Sequence, residues 1–246
     1  MANLHSLDVF FSAHAFQESE VRGKTAVIID VLRASSTIIT ALGNGAKGVI
    51  PVSDMAEASR ISQSVDSDNL LLCGEKDGVK IEGYDLGNSP LEYTREMVAD
   101  KTLVFNTTNG TKAISKSLAA KHLLIAGFLN LSAVVNRLKA TEHDVVLVCA
   151  GWRGRLSLED LLLAGNIVFE LCDGTLPKNS TDGATVAFGL YEKYQHTTAE
   201  AIGRCNHAVR LKDITGDEDI LFCTKRDTSA ILPILKDGIL TSSNGI

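Results

Sequence analysis

Along this chain, apolar runs of strand length alternate with segments whose apolar residues recur at helical spacing. TAVIIDV (25–31) reads as a buried strand and SSTIITALGNG (35–45) as a helix; KGVIPVS (47–53) and DMAEASRISQSV (54–65) repeat the pair. NLLLCGE (69–75) is a further strand, as is KTLVFN (101–106), which leads into a helix over TKAISKSLAA (111–120). The alternation continues with strand KHLLIAG (121–127), helix LSAVVNRLKA (131–140), strand DVVLVCAG (144–151) and helix SLEDLLLAGNIVFELC (157–172). Strands rich in Val, Ile and Leu with helices between them predict an α/β fold, a three-layer α/β/α arrangement around a largely parallel or mixed sheet. Beyond residue 173 the pattern thins. DGATVAFGLYEKY and AEAIGRCNHAVRL read as helices and DILFCTK (219–225) as a late strand. The stretch 74–92, GEKDGVKIEGYDLGNSPLE, is Gly-rich, polar and too long for an idle connection, so it is read as a functional loop or lid. No repeat, low-complexity tract or linker divides the chain. The expectation is one domain over 1–246, with two lobes meeting near 128–175 as the variant.

Composition narrows the class of partner. The 24 basic and 30 acidic residues leave a net charge of −6 and no long basic run, which speaks against nucleic acid and anionic membrane. Such a protein has to hold an anion with local donors, an Arg or a metal. The five cysteines include no C-x-x-C pair, which argues against a zinc knuckle or a dithiol redox site. The opening MANLHSLDVFFSAHAF has no basic n-region or long apolar core, and no run reaches transmembrane length. A cytoplasmic protein with reduced thiols is expected, and base rates favour a homodimer.

In an open α/β sheet, ligands sit beyond the carboxyl ends of the strands, which singles out three junctions. In DVLRASST, Asp30 ends a strand, Arg33 follows, and Ser35, Ser36 and Thr37 open a helix whose free N–H groups suit an anion. A second reading stands beside it: the serines cap the helix and Arg33 pairs with a carboxylate. In TTNGT, Gly110 allows a sharp turn and close approach to a ligand, while Thr107, Thr108, Asn109 and Thr111 supply polar groups. Here too an ordinary Asn-Gly turn with Thr111 as cap accounts for the residues. In CAGWRGRLSLED, Glu159 and Asp160 follow Ser157 in a capping-box-like pattern. Together with Asp30 they also form a set of hard oxygen ligands suited to Mg²⁺.

Two motifs point elsewhere. GNGAKG (Gly43 to Gly48) matches a dinucleotide fingerprint but leaves a helix and enters a strand, the inverse of the required order. CAGWRGR places Cys149 and Arg155 at the spacing of cysteine-dependent phosphatases, with Val148 and Leu156 where those enzymes carry His and Ser or Thr.

DVLRASSTI, GNSP, TTNGT, CAG and LED, in this order, resemble the 2-phosphosulfolactate phosphatases, the ComB-like family, over roughly residues 25–235. The resemblance implies an α/β/α fold and a Mg²⁺-dependent phosphoric monoester hydrolase. Its substrate is a small anionic phosphoester, 2-phosphosulfolactate, converted to 3-sulfolactate and phosphate on routes that include coenzyme M biosynthesis. The residues it carries over are Asp30, Arg33, Glu75, Asn88, Ser89, Thr108, Asn109, Thr111, Cys149, Glu159 and Asp160, with Asp182 and His207 added. The mechanism it suggests has Mg²⁺ on some of Asp30, Glu159 and Asp160. Arg33 and the helix start with Ser35 and Ser36 hold phosphate, and the Thr108–Thr111 loop with Gly110 holds sulfonate or carboxylate. Two alternatives remain: a non-catalytic module that senses a sulfonated or phosphorylated metabolite, and a phosphatase using Cys149 and Arg155.

Overall fold

A computed structural model describes residues 6–64 and 69–242. The predicted helix end at Val65 and the start of the N-terminal stretch lie outside the described residues. The strands are β1 (Leu7–Phe10), β2 (Thr25–Ile29), β3 (Gly48–Val52), β4 (Leu70–Lys76) and β5 (Val79–Lys80). They continue with β6 (Thr102–Asn106), β7 (His122–Ala126), β8 (Val145–Cys149), β9 (Pro233–Lys236) and β10 (Ile239–Ser242). The helices are α1 (Glu18–Val21), α2 (Ala34–Gly43), α3 (Met55–Ser64), α4 (Arg95–Val98), α5 (Gly110–Lys116) and α6 (Leu131–Lys139). After them come α7 (Leu158–Leu171), α8 (Asp182–Tyr194), α9 (Thr198–Gly203), α10 (Asn206–Thr215) and α11 (Glu218–Cys223).

The strands form one mixed sheet in the order β1-β8-β2-β7-β9-β10-β3-β6-β4-β5. Both faces are apolar because successive residues point to opposite sides. Val27 and Ile29 of β2 and Val145, Leu147 and Cys149 of β8 enter one core with α6, α7 and α8. Ala26, Ile28, Val146 and Val148 enter the other, with Ala34 and Ile38 of α2 and Ile114 of α5. The predicted three-layer α/β architecture is therefore present, with the sheet between helical layers.

The sheet differs from a uniformly parallel one in a way that matters for the site. Strands β1, β8, β2 and β7 are mutually parallel, and so are β3, β6 and β4. Between the two blocks stand three antiparallel pairings, β7 with β9, β9 with β10, and β10 with β3. Three reversals leave the blocks running in opposite formal directions, so the predicted junctions do not share one edge of a flat sheet. Twist of roughly 20–25° per strand step turns one block relative to the other. Both blocks face a common core: Val49, Leu103 and Phe105 pack with Ile28, Ile125 and Val148. That wrapping brings strand ends of the two blocks together.

The structure departs from the sequence expectation in several places: β1, α1 and α4 lie where no element is predicted, and AEAIGRCNHAVRL divides between α9 and α10. DILFCTK, predicted as a strand, is mostly the helix α11: Ile220 and Cys223 are buried three residues apart and Leu221 is exposed, a helical stripe too short to show its period. The hairpin of β9 and β10, which the hydrophobic pattern does not predict, turns at Asp237 and Gly238, whose φ values are 50° and 81°. The 74–92 stretch holds its own structure. β4 and β5 pair antiparallel around Asp77 and Gly78, and a 3-10 turn follows at Pro90–Glu92.

Candidate active site

A cavity of about 50 Å³ lies where the end of β2 meets the junctions after β4, β6 and β8. Its acidic wall is Asp30, Glu75 and Asp77; Arg33, Arg153, Arg210 and His207 supply cationic or potentially cationic groups; Asn88, Thr108 and Asn109 are polar. Sequence elements far apart thus converge, and Gly110 lies where α5 approaches Asp30. A Cβ there would stand 2.7 Å from Ala34 Cβ and 2.8 Å from Asp30 Oδ2, so the α5 start approaches Asp30 only because residue 110 is glycine.

Asp30 follows β2 directly and is buried. Burial pushes its carboxyl up, His207 pulls it down, and Glu75 and Glu159 push it up again, to about 7. The Ala34 backbone N–H is the donor that offsets part of this. Glu75 is differently placed: Oε1 accepts from the Thr108 N–H at 2.7 Å, and Oε2 accepts from the Gly78 N–H at 2.5 Å and the Thr108 hydroxyl at 3.1 Å. Arg33 is buried and already doubly held. Nη1 meets Asp219 Oδ2 at 2.5 Å, and Nη2 donates to the Gly78 carbonyl at 2.9 Å. Its remaining N–H groups are left for the cavity. Asp219 also accepts from the Ser89 hydroxyl at 2.5 Å, so Ser89 reaches the site through Asp219 and does not line it.

Glu159 and Asp160 lie behind the cavity wall. Asp160 accepts from the N–H groups of Val31 at 2.8 Å and Gly151 at 3.1 Å. Burial, Glu159 and Asp30 nevertheless push it well above the usual carboxylate range. Glu159 meets His207 Nδ1 at 2.7 Å with Oε1 and accepts the Cys205 thiol at 3.1 Å with Oε2. Burial raises its pKa, but its bonds and the His207 charge outweigh that and hold it below the usual value. The predicted trio of Asp30, Glu159 and Asp160 therefore does not present three free carboxylates to one point. Among the described residues, no three His, Cys, Asp or Glu side chains form a ready metal cage.

The hydroxyls of the first helix start also turn into the protein. Ser35 Oγ accepts from the Asp30 N–H at 2.9 Å, Ser36 donates to the Val31 carbonyl at 3.0 Å, and Thr37 to the Asn88 carbonyl at 2.8 Å. In TTNGT, Thr107 and Thr111 bond reciprocally, the Thr111 N–H donating to Thr107 Oγ1 at 3.1 Å and the Thr111 hydroxyl to the Thr107 carbonyl at 2.8 Å. Thr108 and Asn109 reach the cavity and Thr111 does not. Cys149 is fully buried at the end of β8, and burial, with Asp160 and Glu159 nearby, pushes its thiol well above the usual range. Arg155 is exposed, and neither residue lines the cavity, so this pair offers neither a thiolate nor an anion grip there. Asp182 is exposed in the first turn of α8, also outside the cavity lining.

Sequence reasoning missed Asp219, Trp152, Arg153 and Arg210. Arg153 stacks over Trp152 at 4.7 Å, Trp152 stacks on His207 at 5.3 Å, and Arg210 Nη2 donates to the Asp77 carbonyl at 2.9 Å. The only signal for the arginines lay in WRGR, whose spacing suggested a different chemistry, and in the α10 segment. For Asp219 it was hidden by the strand-like look of its segment.

The donor set fits Mg²⁺ in a reduced form. Asp30 is a buried carboxylate short of donors, and Asn88 Oδ1 is buried without a hydrogen-bond partner on the same cavity. Two hard oxygens on residues that line one cavity suit an ion that normally keeps waters and takes further ligands from a phosphate.

The sequence signature of the family described as 2-phosphosulpholactate phosphatase matches residues 10–238. A probable 2-phosphosulfolactate phosphatase of Thermotoga maritima is 47% identical over 221 residues, covering 90% of this chain and 93% of the relative. One from Caldanaerobacter subterraneus subsp. tengcongensis is 40% identical over 237 residues, 96% and 98% of the two chains. Another from Clostridium beijerinckii is 40% identical over 235 residues, 96% and 98%. With the strand-end cavity, its arginines and its under-donated carboxylate in place, the matches show that this chain belongs to the 2-phosphosulpholactate phosphatase family.

Proposed function

We propose that this chain is a Mg²⁺-dependent phosphoric monoester hydrolase that converts 2-phosphosulfolactate to 3-sulfolactate and phosphate. The observation that carries this reading is the pairing of Asp30 and Asn88 Oδ1, two hard oxygens without adequate protein donors, with three arginines on one small cavity. Acceptor oxygens alone would repel a trianionic substrate; acceptors plus a bound cation attract it. Asp30 and Asn88 would hold Mg²⁺, which when bound neutralises developing charge on the phosphoryl oxygens. Arg33, fixed by Asp219 and Gly78, turns its free N–H groups to the phosphoryl oxygens. Arg153 and Arg210 stand on the α7 and α10 side, where the substrate's sulfonate and carboxylate need partners. The relatives' names support the substrate.

The test is phosphate release from 2-phosphosulfolactate with and without Mg²⁺. The expected result is turnover that stops on chelation and returns on adding Mg²⁺. Tight binding without release would favour a sensor, and full activity after exhaustive chelation would remove the metal from the scheme.

A further inference from the structure

The pair Glu159 and His207 is the part of the site that binding of substrate leaves unexplained. Glu159 is buried on α7 and His207 stands on α10, with Oε1 and Nδ1 2.7 Å apart. Trp152 stacks on the imidazole at 18° between planes. Its partner carboxylate is itself fixed by the Cys205 thiol. The ring is therefore set in tilt and direction, and Nδ1 is committed. Nε2 has no hydrogen-bond partner among the described residues, and the ring lines the same cavity as Asp30, Arg33 and Asn88.

Resting on the hydrolase reading above, we propose that His207 donates the proton to the leaving oxygen of the phosphoester, with Glu159 as the positioning residue that orients the ring. The reaction calls for such a donor. The leaving group of 2-phosphosulfolactate is a secondary alkoxide, too basic to depart readily without a proton. As the bond from phosphorus to the ester oxygen breaks, its electron pair goes to that oxygen and the Nε2 proton joins it, giving the alcohol. The attacking water supplies the new P–O bond, keeps one proton on phosphate and releases the other, which restores His207 through solvent. The buried Glu159 carboxylate occupies Nδ1, so the proton handed over is the one on Nε2.

A purely structural tie between α7 and α10 would affect all substrates alike; a proton donor would not. His207→Ala and His207→Gln are therefore compared on 2-phosphosulfolactate and on 4-nitrophenyl phosphate, whose phenolate leaves without protonation. Glutamine can still donate to Glu159, which guards against loss of fold. The expected outcome is a fall in kcat of about 10²–10⁴-fold on the alkyl ester and less than about tenfold on the aryl ester. Equal losses on both esters overturn the proposal. The bridging ¹⁸O isotope effect on 2-phosphosulfolactate tests the same step on the native ester alone. It grows in both variants if the proton no longer arrives during bond cleavage, and an unchanged value overturns the proposal. Absence of phosphate release by the unaltered protein would instead sink the hydrolase reading itself.

Discussion

Two acidic residues face the same cavity from opposite blocks of the sheet and behave in opposite ways. At the end of β4, Glu75 has both oxygens engaged by Thr108 and Gly78. At the end of β2, Asp30 has the Ala34 N–H and a pKa raised to about 7. Both are buried, and they differ in donors: two N–H groups and a hydroxyl reach Glu75, while burial raises Asp30 with the Ala34 N–H as its donor. A buried carboxylate whose lone pairs are filled belongs to the framework of the cavity. One left short, with burial, Glu75 and Glu159 raising its pKa against the pull of His207, keeps oxygens that the protein leaves without donors.

The contrast makes its largest prediction at Asp30. Asp30→Asn removes the charge but little volume, and kcat on 2-phosphosulfolactate should fall about 10³-fold or more, ~4 kcal/mol of barrier, in a folded protein. Stability should move the other way. A carboxyl raised in the folded state from 3.8 to about 7 contributes stability that is complete below pH 3.8 and is lost as pH rises through 7. That loss is on the order of 4 kcal/mol in the metal-free protein. At pH 8 without metal, Asp30→Asn should therefore melt higher than the unaltered chain, and the two should converge near pH 4. Adding Mg²⁺ at pH 8 should raise the Tm of the unaltered chain and leave that of Asp30→Asn unmoved. Equal responses to Mg²⁺ would place the ion elsewhere.

How much of this is legible in the sequence differs between the two blocks. Strand ends and the helix starts after them can be read, because buried strands and capped helices leave local composition: Asp30, Glu75, Thr108 and Asn109 all lie where the sequence points, and all line the cavity. What cannot be read is which oxygens are already taken. Asp160 looks like a metal ligand until the N–H groups of Val31 and Gly151 are seen on it, the first from 129 residues away in sequence. The wrapping of the sheet is hidden for the same reason. It depends on the hairpin of β9 and β10 entering between β7 and β3, a pairing of residues near 235 with residues near 124 and 49. The Asp-Gly pair at 237–238 is the one local signal of that turn, and it says nothing of the hairpin's place in the sheet.

Asp219 sharpens the comparison from the other side, because its charge is matched. Asp219→Asn leaves Arg33 buried without its counter-charge, and a loss of about 3 kcal/mol or more in unfolding free energy is expected. Arg33 then loses one of its two anchors, so KM for the phosphoester should rise by more than kcat falls. A variant with unchanged KM would show that the Gly78 carbonyl alone holds the guanidinium. Glu75→Gln should cost less, about 1.5–3 kcal/mol in chemical denaturation, since the amide keeps one acceptor for the Thr108 or Gly78 N–H. A loss of activity as deep as that of Asp30→Asn would dissolve the distinction between the two carboxylates.

The smallest effect on activity is expected at Cys149, the residue that a different phosphatase chemistry would make indispensable. Its thiol ends β8 inside the apolar core that includes Val27, Ile29 and Leu147, fully buried and held protonated by burial and by Asp160 and Glu159. A thiolate nucleophile needs the reverse surroundings: partial exposure and positive charge. Cys149→Ser places a hydroxyl in that core, at a cost of about 1–2 kcal/mol seen as a lower denaturation midpoint. Because the side chain does not line the cavity, kcat/KM should change by less than about threefold, ~0.6 kcal/mol. Phosphate release by the folded serine variant measures this directly. Near-complete loss there, with activity kept in Asp30→Asn, would reverse the roles of the two residues and put the nucleophile at the end of β8, while leaving the phosphatase family as it stands.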